Sequence, residues 1–281
     1  MYLYWYTVKY PNWKEVILIS EMEGTVIFSK DFIKQKRNKK EKLLLVSSYL
    51  KLNSPLSGNI GLSINILVEK IGYKPDTHEG KINDKIKASL SSLVKTQDIC
   101  IESRLSWRAK EKWKQVDTLI NDLKATDCAI IHINEDSKLF YPEDQYVVLT
   151  DTEFTTITQS CVKTDREDIL NAYLNIKKFM SFDKDSKQLC YPSHTTLCKD
   201  CNISSTGAMN NIINDLIDIG MIYKYNSGKY RDKTGKVKYA NNFYALDDKT
   251  LNAEVCDDII KGYYSNQGIL IDKFINEQYI T

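Results

Sequence analysis

The chain has 281 residues, 42% of them hydrophobic and 27% charged, the balance of a soluble globular protein long enough for two ordinary domains, each with its own core. Its formal net charge is only +2, which excludes a global excess of positive charge as a reason to expect nucleic acid. No apolar run reaches the length of a membrane span, and seven scattered cysteines, an odd number, point to reduced thiols in a cytoplasm rather than to a disulfide framework.

In chain order, Met1 to Tyr10 mixes aromatic with polar residues and lacks the charged leader and apolar core of a secretory signal. The stretch through Phe28 reads as strands with turns at Pro11-Asn12 and Glu23-Gly24, an N-terminal β-hairpin. From Lys30 to Lys51 eight basic residues stand against two acidic ones. Leu43 to Leu52 reads as a helix. Leu62 to Tyr73 then reads as a short helix and a turn, and the same pattern returns without gaps at Pro192 to Ile203, an offset of 130. Ser63 and Ser193 stand where an N-cap is wanted. Leu67 with Leu197, Val68 with Cys198 and Ile71 with Cys201 share the spacing of an apolar helix face. Gly72 and Asn202 fall at the helix end, where a left-handed residue turns the chain.

Beyond that turn the offset falls to 123, and Ile86, Leu90, Leu93 and Ile99 match Met209, Ile213, Leu216 and Ile222. The difference of seven residues is a loop insertion near Lys74 to Gly80 in the first copy. A longer helix is therefore expected in each copy, capped in the second by Ser204, ended by Gly220 and followed by a strand. Ile169 to Met180 is the helix that precedes the second pair. Ile222 to Tyr225 and Asn242 to Leu246 read as strands flanking a loop with Gly228 and Gly235, a β-hairpin. In the first copy Cys100 to Glu102 is expected to pair with a return strand at Tyr146 to Thr150. Between them lie a basic helical segment around Trp107 to Lys124 and a strand-like run, Ala129 to Asn134. Val255, Ile259, Ile260, Tyr263 and Tyr264, then Ile269, Leu270, Phe274 and Ile275, suit C-terminal amphipathic helices that close a homodimer or cap the second domain.

The run Tyr191-Pro192-Ser193, Leu197-Cys198, Ile203-Ser204, Leu216, Gly220-Met221-Ile222, closing in Asn241 to Leu246, resembles the winged helix-turn-helix family. The likeness covers residues 190–246 well and 43–102 moderately. Cys198 replaces the family's usual small Ala, and Asn202 its usual turn Gly. Two such domains in a chain of this length resemble the initiators of plasmid and phage replication. Tandem winged helices also occur in transcription regulators. The resemblance implies that the longer helix of each unit enters the major groove of double-stranded DNA. In the second unit the face opposite Met209, Ile213 and Leu216 offers Ser205, Thr206, Asn210, Asn211 and Asn214, and Asn bonds adenine through two hydrogen bonds. In the first unit the matching face offers Lys81, Asn83, Lys85, Lys87 and Ser91. The second hairpin supplies the charge that its helix lacks. Lys229, Arg231, Lys233, Lys236 and Lys238 interleave with Tyr225, Tyr230 and Tyr239, suited to phosphates or the minor groove.

Other chemistries fit less well. Cys190, His194, Cys198 and Cys201 have the spacing of zinc ligands, but Cys198 and Cys201 replace the apolar Val68 and Ile71 of the first copy, so no metal is expected. Only three histidines occur, His78, His132 and His194, far apart in sequence, so the paired-histidine site of a nickase is missing. Gly228 to Lys236 fails the phosphate-loop pattern, because its glycines are too far apart and Val237 stands where Ser or Thr belongs. Glu143, Asp144, Asp151 and Glu153 lie in an alternation that reads as a half-exposed strand. The expectation is an α+β protein with a β-rich segment over 1–29 and winged-helix domains over 30–160 and 161–247. A helical segment follows over 248–281. It is expected to be cytoplasmic, to need no cofactor and membrane, and to be no enzyme. The alternatives are a transcription regulator, and a module whose winged helices bind proteins.

Overall fold

Ser63 and Ser193, matching points of the repeat, each accept a hydrogen bond from the backbone N–H three residues on, Ile66 at 3.4 Å and Thr196 at 3.0 Å. Each thereby starts a short helix, and each helix ends in a left-handed residue, Gly72 at φ +87° and Asn202 at φ +55°. The structure, a computed structural model, describes residues 25–29, 42–54, 59–76, 81–103, 120, 123–134, 136–137, 146–180, 189–231, 234–269 and 271. The expected hairpin through Gly24, most of the basic segment at 107–124, Lys233 and the end of the chain lie outside these residues.

The chain forms an α+β fold with small antiparallel sheets. Strand β1 (Thr25–Ser29) precedes a first unit of α1 (Leu43–Asn53), β2 (Asn59–Ser63), α2 (Ile64–Lys70), α3 (Lys81–Lys95), β3 (Ile99–Ser103) and β4 (Cys128–Ile133). Strand β5 (Tyr146–Thr150) and helix α4 (Asp151–Gln159) connect it to a second unit. That unit comprises α5 (Arg166–Phe179), β6 (Leu189–Cys190), α6 (His194–Cys201), α7 (Thr206–Asp218), β7 (Tyr223–Asn226), β8 (Lys229–Arg231), β9 (Val237–Tyr239) and β10 (Asn242–Ala245). A 3-10 turn at Asp248–Thr250 leads into α8 (Ala253–Asn266). The first unit's sheet has the order β2-β4-β3 and the second's β6-β10-β7. In both, the last strand lies between the other two. The order helix, strand, helix, helix, strand, strand therefore recurs, with β8 and β9 inserted as an outer hairpin in the second copy.

The matched apolar positions are buried together. Leu67, Leu197, Ile86, Met209, Leu90, Ile213, Leu93, Leu216, Ile99 and Ile222 all belong to one hydrophobic cluster. The two halves do not keep separate cores: that cluster runs through both, because α1 packs on α5 and α4 packs against both. Polar contacts reinforce the junction. Glu167, in the first turn of α5, accepts from the N–H groups of Leu44 at 3.0 Å and Leu45 at 3.1 Å, satisfying free donors at the start of α1 from another helix. Lys42 is buried at 2% exposure and its ammonium lies 2.5 Å from Asp165 Oδ2. Burial works to raise the Asp165 carboxyl, but bonds from Lys42, the Glu167 N–H and Tyr73 outweigh it and hold the group below the ordinary aspartate value. Gly72 comes so close to this junction that an added Cβ would lie 1.9 Å from the Thr158 carbonyl oxygen.

Three expectations need correction. The return strand of the first unit is Cys128–Ile133, which pairs with both β2 and β3, whereas Tyr146–Thr150 pairs with Thr25–Ser29 instead. Both runs carry the same alternation, so local pattern does not choose between them. Asp151 and Glu153 stand on a helix and not on a strand. Thr150 accepts from Glu153 N and Glu153 returns a bond to Thr150 N, a full capping box that starts α4. The cap of α7 is Ser205, whose hydroxyl accepts from Ala208 N at 3.1 Å, rather than Ser204. Helix α8 is amphipathic as expected, burying Cys256, Ile260 and Tyr264, and it covers the second unit's hairpin. Among the described residues no helix is long and apolar enough to cross a membrane.

Candidate nucleic-acid interface

Helix α7 turns Met209, Ile212, Ile213 and Leu216 inward, and the 3.6-residue period leaves Thr206, Asn210, Asn211 and Asn214 exposed on the opposite side. Ser205 is exposed beside them, its oxygen already accepting as the cap. The carboxylate on the buried side, Asp215, is consumed internally, accepting from Thr164 N at 2.8 Å and Thr164 Oγ1 at 2.5 Å. The outward face of α7 is thus mostly amide and hydroxyl, with the exposed carboxylate of Asp218 in its last turn. No Lys or Arg lies between Thr206 and Asp218.

The corresponding helix of the first unit behaves differently. On α3 Lys81 is exposed and Lys85 and Lys87 are half-buried, while Asp76 closes the helix start by accepting from Ile82 N at 2.9 Å and Asn83 N at 3.3 Å. Asn83 does not join the lysines. It is 3% exposed and donates to Asn65 Oδ1 at 3.5 Å, since it lies three residues before Ile86 and so continues the buried stripe of Ile86, Leu90 and Leu93. Its own Oδ1 is buried without a partner.

The second unit's hairpin has two distinct faces. Lys229 pairs with Tyr239 and Tyr230 with Lys238 in the β8–β9 register, so alternate residues point to opposite sides. Tyr225 and Tyr230 are buried, not interleaved with the lysines on an open surface. Tyr230 packs on Tyr264 of α8 with ring centres 4.6 Å apart, and the Tyr225 hydroxyl donates to Asp257 at 3.1 Å. Burial, and then the Asp257 charge, push the Tyr225 hydroxyl well above its ordinary range. Lys236, Val237, Lys238 and Tyr239 are exposed and Lys229 is half-buried, its ammonium 4.9 Å from the Tyr239 ring centre. Arg231 lies in β8, paired in register with Val237. The exposure of Val237 is what sequence reasoning missed. The available signal was the two-residue alternation from Tyr230, which sets Val237 and Tyr239 apart from the tyrosine that α8 covers.

Two of the four residues spaced like zinc ligands, Cys190 and His194, have other partners. The Cys190 thiol donates to the Ile176 carbonyl at 3.5 Å. Cys201 is buried and its thiol pushed up to about 12, chiefly by that burial. His194 Nε2 lies 2.9 Å from the Tyr244 hydroxyl and 3.0 Å from Asn242 Nδ2, so the ring ties α6 to β10. Burial, and then the Lys224 charge, lower its pKa.

No family model matches this chain, and no similar protein is found among curated ones.

Proposed function

We propose that the chain binds double-stranded DNA through two winged helix-turn-helix units and acts as an initiator of plasmid or phage-like replication at origin repeats, a binding protein rather than a catalyst. The supporting observation is the twofold recurrence of one element order, with the last strand central in each three-stranded sheet. It is joined in the second copy by a helix whose outer face carries Thr206, Asn210, Asn211 and Asn214. In that reading α7 reads base edges, while Lys229, Lys236 and Lys238, with Arg231 and Lys233, neutralise phosphates. Lys81, Lys85 and Lys87 give the first unit a backbone contact. The replication role rests on the resemblance of two such units in a chain of this length.

The absence of Lys and Arg from α7 favours a second reading, in which that helix meets a protein partner. Selection of bound duplexes from a random pool, followed by salt titration of the selected site, separates the two. About five neutralised phosphates give a slope of log affinity on log salt near −4 to −5. Changing Lys229, Lys236 and Lys238 to Ala flattens that slope by about 3 and weakens binding on all sequences alike. Asn210→Ala with Asn211→Ala leaves the slope and alters the preferred sequence. Folded protein that selects no duplex at low salt leaves the protein-binding reading in its place.

A further inference from the structure

Lysines explain the charge of the second unit's hairpin but not its apolar side chains. Val237 is 44% exposed and Tyr239 70% exposed. They stand two residues apart on β9, and so on one side of the ribbon. Exposed single apolar residues are common, but an adjacent branched and aromatic pair on a two-stranded ribbon is costly to leave in water. The Lys229 ammonium stands near Tyr239, its register partner, whereas Lys238 is paired with Tyr230 and so lies on the opposite side of the ribbon. An apolar pair with a cation against it fits a polyanion with an apolar interior, which describes stacked bases between phosphates.

The hairpin is also braced from behind. Tyr230 packs on Tyr264, Tyr264 on Tyr263 with ring centres 5.1 Å apart, and Tyr225 is anchored to Asp257. The bracing helix α8 exposes the carboxylates Glu254 and Asp258. The side bearing Tyr239, where the Lys229 ammonium lies, is the side left uncovered by α8. A stiff backing is what a side chain needs in order to press between bases rather than fold away.

We infer that Val237 and Tyr239 form a wedge that enters the minor groove of duplex DNA and unstacks a base step, a role that rests on the DNA-binding reading. Apolar wedges of this kind kink a duplex by about 20–90° toward the major groove. Pyrimidine–purine steps such as TA yield most easily, so the wedge favours them.

The test uses the full chain and a short duplex with central TA steps, end-labelled for energy transfer and carrying 2-aminopurine at one step. Binding should raise the 2-aminopurine fluorescence and shorten the end-to-end distance. Tyr239→Ala with Val237→Ala should lose most of both signals while the salt slope stays unchanged. Lys236→Ala with Lys238→Ala should do the reverse, flattening the slope while saturating protein still gives the fluorescence rise. Both positions are exposed, so folding is not at stake, and circular dichroism verifies it. Wild-type protein that binds the duplex without either signal overturns the wedge and leaves the DNA-binding reading intact. So does a double variant that keeps both signals, or a fluorescence rise with the single strand alone. Failure to bind duplex at low salt overturns both readings.

Discussion

At the scale of single residues, His194 shows how a buried ring serves both packing and pH response. Asn242 Nδ2 can only donate, and Asn226 Nδ2 donates to Asn242 Oδ1, so the Asn242 amide is oriented with its NH2 toward the ring. His194 Nε2 is therefore an acceptor and the ring is neutral. Protonation would set an N–H against that NH2, in a half-buried site already facing the Lys224 charge. The folded state holds the proton less well than the unfolded chain. The stability His194 contributes is thus complete above the unfolded value of about 6.5 and is lost as pH falls below it. The melting temperature should decline between neutral pH and pH about 5, and His194→Gln should flatten that decline. An identical acid limb in the variant would show that His194 does not set it. Cys201, at the other end of the same helix and its thiol raised by burial, stays protonated throughout this range and does not contribute.

At the scale of elements, helix ends decide the geometry, and two glycines separate the contributions. Gly220, at φ +71°, ends α7 with nothing within 4 Å of an added Cβ. Gly220→Ala should therefore cost only the left-handed conformation, about 1 kcal/mol. Gly72 ends α2 at φ +87°, and there the Cβ would also meet the Thr158 carbonyl oxygen at 1.9 Å and Arg166 Nε at 2.6 Å. Gly72→Ala should add overpacking to the same strain, about 2–5 kcal/mol in all. Urea unfolding of the two variants measures the difference, and equal midpoints would mean that α2 does not press on the junction. Both glycines could be placed from sequence because helix stops are local signals. So could the buried helix pairs of the repeat, Leu67 with Leu197, Leu90 with Ile213 and Leu93 with Leu216, since a 3.6-residue period needs no distant partner. What was illegible depended on partners far along the chain. The alternation around Asp151 and Glu153 reads as a half-exposed strand, yet Phe154, Ile157 and Thr158 pack inward as a helix. The Thr150–Glu153 box was the overlooked local sign. Which of two alternating runs closes the first sheet, and which tyrosines of the hairpin are covered, are set by β1 and α8, remote in sequence. Asn83 was misplaced because a polar residue on a buried stripe looks exposed by composition.

At the scale of the whole molecule, the two units are fused, and the pair Lys42–Asp165 measures how firmly. Lys42 precedes α1 of the first unit, and Asp165 is the N-cap of α5 in the second, accepting from Glu167 N at 2.9 Å. The Lys42 ammonium also lies 5.2 Å from the Tyr73 ring centre, and the Tyr73 hydroxyl donates to Asp165 Oδ1 at 2.9 Å. Asp165→Ala leaves a 2%-exposed ammonium without its carboxylate and removes a cap. Breaking a fully buried pair costs about 3–5 kcal/mol, and because Asp165 itself is 42% exposed the loss here should be nearer about 2–3 kcal/mol. The location of that loss carries the information. One continuous cluster links Leu90 in α3 with Ile213 in α7, so the helices of both units should open together. Native-state hydrogen exchange on Asp165→Ala should lower the protection of slow amides in α3 and α7 by the same free energy. Restoring an uncharged pair with Lys42→Met and Asp165→Ala should recover most of the loss in both helices at once, since the buried charge is then gone from either side. If only one helix loses protection, the units unfold separately and the shared core does not couple them. Under the proposed DNA-binding role, a shared core of this kind would hold α3 and α7 in one frame. Equal loss of protection in α3 and α7 would then limit how far the spacing of two bound DNA sites could vary.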